Sequence, residues 1–591
     1  MFQTFQDTAS PDQGPARLTA LRAAMAAAGV DGFLVPRADA HQGEYVAPHD
    51  DRLAWLTGFT GSAGWAVALA ARAAVFVDSR YRVQVKAQVA DCFEKIDWPE
   101  VALSDWIGEA LAEGAIGFDP WLLTVDQLER MQTALPGLTL TRCENLIDAI
   151  WDDQPRPPQG AVFAQPLELS GEAHEDKITR LAKDLTSDAA ILTLPDSIAW
   201  LLNIRGSDIP RNPVPHGFAI LHGDGRVTLY MDAGKLANLG DHLGPRVTLR
   251  APKDFLNDVH GLQGTVQIDP ATCPVAVAVA DALTAKITHG DDPVSLPKAR
   301  KNAAELAGAR AAHLRDGVAM VRFLAWLDAQ PPGSLTEIDV VKALEEERRA
   351  TNALRDISFE TISGAGPNGA IVHYRVTEKT NRKVNDGELL LVDSGGQYVD
   401  GTTDITRTMA IGTPGDEERD AFTRVLKGMI AVSRLRFPAG LAGRDIDPFA
   451  RAALWEAGLD YGHGTGHGIG SYLSVHEGPQ RIARSGTVPL EPGMLLSNEP
   501  GFYKEGAYGI RIENLIAVQQ AEPLPGQTVP QMLTFETLTW VPIDTRLVNV
   551  ALLTQAERDW LNAYHSECEA RLAPHLQEKT KLWLTQACKA I

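Results

Sequence analysis

The stretch LLLVDSGGQYVDGTTDITRTM, residues 389–409, decides how the rest of the chain is read. Its apolar run 389–392 predicts a buried strand that ends in Asp393. Gly395 and Gly396 then predict a tight turn. Beyond it the sequence alternates, with Asp404, Thr406 and Thr408 on one face and Ile405, Arg407 and Met409 on the other, as in a strand. Two carboxylates on neighbouring hairpin strands, Asp393 and Asp404, can therefore converge. A carboxylate closing a buried strand is costly unless it is paired or bound to a metal.

Four more polar islands set among glycines lie around this hairpin. YGHGTGHGIGSYLSVHEGP (461–479) carries His463, His467 and His476. On a helix His463 and His467 would form a metal pair, but the interleaved glycines oppose a helix. The stretch reads as loop and strand in which only one histidine need be a ligand. In SNEPGFY (497–503) Pro500 holds Glu499 extended. In GIRIENLI (509–516) Arg511 and Glu513 share one strand face, with Ile510 and Ile512 on the other. SGAGPNGAIVHY (363–374) is a glycine-rich approach to His373. Each residue alone has an ordinary explanation: a turn cap, a solvated acid, an Arg511–Glu513 pair, a structural histidine. Together, four acids and a histidine among glycines and apolar strands repel one another and call for cations.

Upstream, the chain repeats itself. DGFLVP (31–36), WLTGFTGS (55–62) and AVFVDSR (74–80) recur in the same order as DAAILTLP (188–195), WLLNIRGS (200–207) and VTLYMD (227–232). A helical segment precedes each copy, at 18–28 and 174–185, so the pattern predicts two related α/β domains in tandem. The proline-rich DDQPRPPQG (152–160) reads as a linker between them. Apolar residues at helical spacing over 302–330 predict a long helix stopped by Pro331 and Pro332. In DIDPFARAALWEAGL (445–459) Asp447 reads as a helix cap with Pro448 in the first turn. From 548 onward the chain looks helical.

At 591 residues the chain exceeds what one core can organise and implies three or four domains. Its formal charge of -21 argues against nucleic acid or an anionic membrane as partner. Five scattered cysteines, with no close pair, read as reduced thiols in a cytoplasmic protein. The N-terminal sequence shows no signal-peptide pattern, and no run reaches the roughly 18 apolar residues of a membrane span.

The order DSGGQYVDGTTDITRT, HGTGHGIG, NEPGFY, GIRIEN resembles the pita-bread metallopeptidases, the fold of methionine aminopeptidase, prolidase and aminopeptidase P. DAHQGEYVAPHDDRLAWLTGFTGSAG, SIAWLLNIRGSDIPRNPV and GPNGAIVHY extend the resemblance over nearly the whole chain, to the long, three-domain aminopeptidase P form. It implies an α/β and α+β multidomain chain: creatinase-N-like domains at 1–155 and 160–300, a pita-bread catalytic domain at 302–525, and a C-terminal extension at 526–591 packed on it. Family ligands map onto Asp393, Asp404, His467, Glu499 and Glu513, with Asp404 and Glu513 bridging two metal ions. This oxygen-rich set suits Mn(II), with zinc, cobalt or iron as alternatives.

The implied reaction is hydrolysis of an N-terminal Xaa-Pro bond by a hydroxide bridging the two ions, with Glu499 shuttling the proton. The resemblance makes His373, His463 and His476 groups that move protons or hold substrate. His463 then lines the proline pocket, Tyr503 lines the cleft, and Arg511 orients Glu513 and meets substrate. Peptides with proline second are the implied partners, and a homodimer the implied assembly. Two readings compete: a prolidase restricted to dipeptides, and a metal-free peptide-binding scaffold, which loss of a ligand would have favoured.

Overall fold

Strands that carry Val, Ile, Leu and Ala without alternation must be covered on both faces, and the first 300 residues obey this. Gly32–Pro36, Ala73–Val77 and Ala189–Leu192 are buried at every position. In the computed structural model, which describes residues 1–278 and 283–591, each repeat forms one six-stranded sheet. In the first sheet Gly32–Pro36 pairs antiparallel with Trp65–Leu69 and parallel with Gly114–Phe118. In the second, Ala189–Leu192 pairs antiparallel with Phe218–His222 and parallel with Thr265–Ile268. Counted along each repeat, the spatial order is 4-3-2-1-5-6 in both, with the same pattern of parallel and antiparallel neighbours. The duplication seen in three sequence landmarks is thus a duplicated topology. The 152–160 segment between the repeats carries no helix or strand.

The chain divides into two compact units, Thr8–Lys298 and a second made of Met1–Asp7 with Ala299–Ile591. The first seven residues therefore do not belong with the first repeat, where the sequence reading put them. The Gln3 side chain donates to the Thr361 carbonyl and accepts the Thr361 N–H, and Phe2 N donates to Glu345.

The second unit opens with the helix Ala303–Asp328, whose Asn302 and Glu305 form a reciprocal cap. The strands Ile362–Ala365, Leu389–Ser394 and Ile405–Ala410 form one antiparallel sheet. A six-stranded sheet runs from Arg436–Pro438 through Met532–Thr537, Asn514–Gln520, Leu495–Asn498 and Gly466–Gly468 to Glu477–Ile482. Gln555–Leu572 and Glu578–Ala587 are the predicted C-terminal helices.

Two local expectations fail. Gly395 and Gly396 are not the turn, which falls at Val399 and Asp400. A Cβ on Gly395 would lie 1.9 Å from the Thr403 carbonyl oxygen, so glycine is needed for close strand approach. Asp447 does not cap its helix, which begins at Gly443, where Asp445 bonds the Ala442 N–H. Pro448 therefore lies inside the helix, and the buried Asp447 pairs with Arg451 and accepts the Thr465 hydroxyl.

The five cysteines form no disulfide. No helix among the described residues is long and apolar enough to cross a membrane.

Candidate metal centre and active site

Antiparallel pairing sets Asp393 opposite Thr406, and Asp404 immediately precedes the second strand. Glu513 reaches them from the link between the hairpin strand Tyr508–Arg511 and the strand Asn514–Gln520. His467 sits on the short strand Gly466–Gly468, and Glu499 just follows Leu495–Asn498. Gly466 permits this arrangement, because a Cβ there would lie 1.9 Å from the Ser497 carbonyl oxygen.

These elements bring ligand atoms of Asp404, His467 and Glu513 within 4.8 Å of one another. His467 Nε2 stands 3.5 Å from Asp404 Oδ2 and 3.4 Å from Glu499 Oε1. His467 Nδ1 lies 3.0 Å from the Gly468 carbonyl, which can only accept, so Nδ1 carries the hydrogen and Nε2 faces the acids. Ser497 fixes both partners: its hydroxyl accepts the His467 N–H and donates to Glu499.

The acids are almost fully buried, Asp393 at 7%, Asp404 at 4% and Glu513 at 1% exposure. Asp393 Oδ1, Asp404 Oδ1 and Glu513 Oε1 have no hydrogen-bond partner. Burial, together with repulsion from Asp404, raises the Asp393 and Glu513 carboxyls above their ordinary range. Burial also lifts Glu499 to about 7, against the pull of His467 and Arg511. For His467 burial disfavours the cation, but Asp404 and Glu499 outweigh it and push the imidazole to about 9. Burial is the largest cause of the three carboxyl rises, repulsion among the acids adds to them, and the same acids raise His467. Four carboxylates, three of them with an orphaned oxygen, and an imidazole nitrogen aimed among them fit hard divalent cations.

Arg511 is the guanidinium beside the cluster, and its partners differ from those expected. It donates to Asp393 Oδ2 (2.6 Å), Thr406 Oγ1 (3.1 Å) and the Tyr503 hydroxyl (2.6 Å), and reaches Glu513 only through Thr406. Strand alternation does not carry from Arg511 to Glu513 because the chain passes there from a two-stranded to a six-stranded sheet.

From Arg511 the hydrogen bonds run outward through Tyr503 to His463 Nε2 at 2.8 Å, and His463 Nδ1 meets the Gly464 carbonyl. His476 packs edge-on against His467, ring centroids 4.3 Å apart. His373 follows Val372, whose carbonyl accepts from Arg511 Nη2 at 3.4 Å, so its loop borders the same site. All ten residues singled out in the sequence thus gather in or around one cluster. Reading by residue type missed Ser497 and the work of Thr406, whose hydroxyl also donates to Glu513 Oε2 at 2.8 Å. The strand alternation that placed Thr406 on the acid face was the signal for it.

Comparison with known proteins agrees with this geometry. Residues 307–520 match metallopeptidase family M24, 17–150 and 153–305 match creatinase/prolidase N-terminal domains, and 531–591 match the C-terminal region of peptidase M24. Aminopeptidase P2 of Arabidopsis thaliana is 39% identical over 94% of this chain and 85% of its own. A probable Xaa-Pro aminopeptidase P of Laccaria bicolor is 39% identical over 97% and 93%. The X-prolyl aminopeptidase of Caenorhabditis elegans, described as a cytosolic enzyme with a di-nuclear active site, superposes with a TM-score of 0.93 at 34% identity. That match covers 98% of this chain and 100% of the other. The chain therefore belongs to metallopeptidase family M24, in the long aminopeptidase P form with two creatinase/prolidase N-terminal domains.

Proposed function

We propose that this enzyme is an Xaa-Pro aminopeptidase that releases the first residue of peptides with proline in second place. The observation that carries the reading is the buried cluster in which Asp393, Asp404 and Glu513 each keep a carboxylate oxygen without a partner beside the inward-facing Nε2 of His467. Asp393, Asp404, His467, Glu499 and Glu513 would hold two divalent cations. When bound, the ions supply Lewis-acid polarisation of the scissile carbonyl and hydroxide near neutral pH.

The chain's own residues do the rest. Glu499, held by Ser497 and facing His467, takes the proton and passes it to the leaving proline nitrogen. Arg511 fixes Asp393 and the Tyr503 hydroxyl, and Tyr503 in turn fixes His463 at the proline side. His373 and His476 border the cluster and hold substrate oxygens or move protons. The free α-amino group of the substrate is drawn to the surplus of acid, which accounts for exopeptidase action.

Manganese suits the oxygen-rich set. The cytoplasm suits five free thiols and the relative described as cytosolic. We also take the chain to act as a homodimer, a state that sedimentation measures directly. Its domains divide near 155, 300 and 525, as the sequence reading has them.

Metal-stripped protein incubated with Arg-Pro-Pro should release arginine only when Mn(II) is returned, and Glu499→Ala should abolish release. Folded protein that releases nothing with any divalent metal would refute the assignment. Cleavage of Ala-Pro but not Arg-Pro-Pro would make the enzyme a prolidase.

A further inference from the structure

Away from this centre, one other group of ligating side chains converges among the described residues. Asp39, Asp50 and His216 each offer an atom within 4.8 Å of the others. Asp39 and Asp50 lie in the segment that follows the first strand of the first repeat. His216 immediately precedes the strand Phe218–His222 of the second. We propose that these three residues form a separate divalent-metal site that ties the two repeated α/β domains together.

Asp39 is built as a ligand. It is 1% exposed, and its Oδ1 accepts the backbone N–H groups of His41 (2.9 Å) and Gly43 (3.2 Å), which fix the carboxylate. Its Oδ2 is buried and has no hydrogen-bond partner. That oxygen faces His216 Nε2 at 3.4 Å, and this nitrogen also lacks a hydrogen-bond partner. At that distance the buried pair is electrostatic without hydrogen-bond geometry, so neither group is fully compensated for its lost solvation. A cation between them removes that cost.

The charges nearby do not balance the acids. Arg52 gives Nη1 to Asp50 Oδ1 at 2.9 Å, but its Nε and Nη2 grip Asp148. One guanidinium thus serves two carboxylates. His41 packs on His216 with ring centroids 4.4 Å apart, and its Nδ1 meets the Thr193 carbonyl. Lys235 is paired with Asp208.

The spacing also suits an ion. Ligands about 2.0–2.3 Å from a zinc-sized cation stand roughly 3 to 4.5 Å apart. Two carboxylates and one imidazole favour zinc, manganese, cobalt or iron over calcium. Three protein ligands leave a position open, and Asp50 and Phe218 border a cavity of about 450 Å³ through which an ion can arrive.

The test counts metal in the full chain. Metal-stripped protein is titrated with Zn(II) and with Mn(II), and bound equivalents are measured by atomic emission. His216→Leu and Asp39→Asn, with circular dichroism spectra matching the unmodified chain, should each bind one equivalent fewer and keep the peptidase rate. Equal equivalents in all three proteins overturn the proposal and leave Asp39 and His216 an ordinary ion pair. Should either variant misfold, crystals of the unmodified chain soaked in Zn(II) decide the matter at the zinc absorption edge. An anomalous peak enclosed by Asp39, Asp50 and His216 is expected. Its absence while the hydrolytic centre shows zinc overturns the site.

Discussion

Thr406→Val isolates how the acids of the centre are oriented. Thr406 is fully buried opposite Asp393 in the strand register. Its hydroxyl donates to Glu513 Oε2 at 2.8 Å and accepts from Arg511 Nε at 3.1 Å. Valine keeps the shape and removes both bonds. Arg511 retains Asp393 and Tyr503, so the charge pair survives and the loss falls on Glu513. A hydrogen bond to a charged group contributes about 1.5–3 kcal/mol. Partners that orient a metal ligand are typically worth about 10- to 100-fold in metal affinity. The two ranges agree, since each tenfold corresponds to about 1.4 kcal/mol. Metal-stripped Thr406→Val, titrated calorimetrically with Mn(II), should therefore bind about 10- to 100-fold more weakly. Its hydrolysis should recover at high Mn(II), and Thr406→Ser, which keeps the hydroxyl, should stay close to the unmodified chain. A Thr406→Val protein with unchanged Mn(II) affinity would refute the reasoning, as would a serine variant as impaired as the valine one.

Tyr503→Phe breaks the link between Arg511 and His463, so kcat/KM should fall for Xaa-Pro substrates while calorimetric Mn(II) affinity holds. Gly466→Ala forces a Cβ to within 1.9 Å of the Ser497 carbonyl oxygen and should cost about 3 kcal/mol or more in denaturant unfolding, with His467 displaced and activity lost. His565 accepts the Ile543 N–H at its Nε2, and burial, aided by Arg407, lowers its pKa from 6.5 to about 4. The stability gained from keeping it neutral is present above pH 6.5 and lost as pH falls through 4. His565→Gln, which can still accept that bond, should flatten the unfolding free energy across this window by up to about 1.4 kcal/mol per pH unit.

The acids and His467 were legible because ionisable residues next to glycine inside apolar strands have few other reasons to be there. What the sequence hid were relations between segments. Gly395 reads as a turn because close approach to Thr403 and a hairpin bend call for the same residue. Strand alternation puts Arg511 and Glu513 on one face, but it fails where the chain changes sheets. A following proline makes Asp447 look like a cap, whereas Asp445 makes the capping bond and Asp447 pairs with Arg451. The duplicated repeats were plain, but nothing in their periodicity could bring His216 to Asp39.

The other face of the strand Ile405–Ala410 shows why the C-terminal region belongs to the site. Alternation put Arg407 opposite the acids, where a charge would ordinarily seek solvent, yet it is 2% exposed. It is held instead by acceptors: the Glu513 carbonyl at 2.6 Å, Asn514 Oδ1 and the Val541 carbonyl, each at 2.8 Å, and the Tyr564 hydroxyl at 3.0 Å. Tyr564 comes from the helix Gln555–Leu572, and its hydroxyl also accepts the Val541 N–H. A buried guanidinium is tolerable only while such partners stay in place. One of them is the backbone of Glu513, so the helix that satisfies Arg407 also fixes the chain carrying that carboxylate. The segment beyond 526 thus supports the centre from behind, through hydrogen bonds to the same strand whose front face turns Thr406 toward the acids.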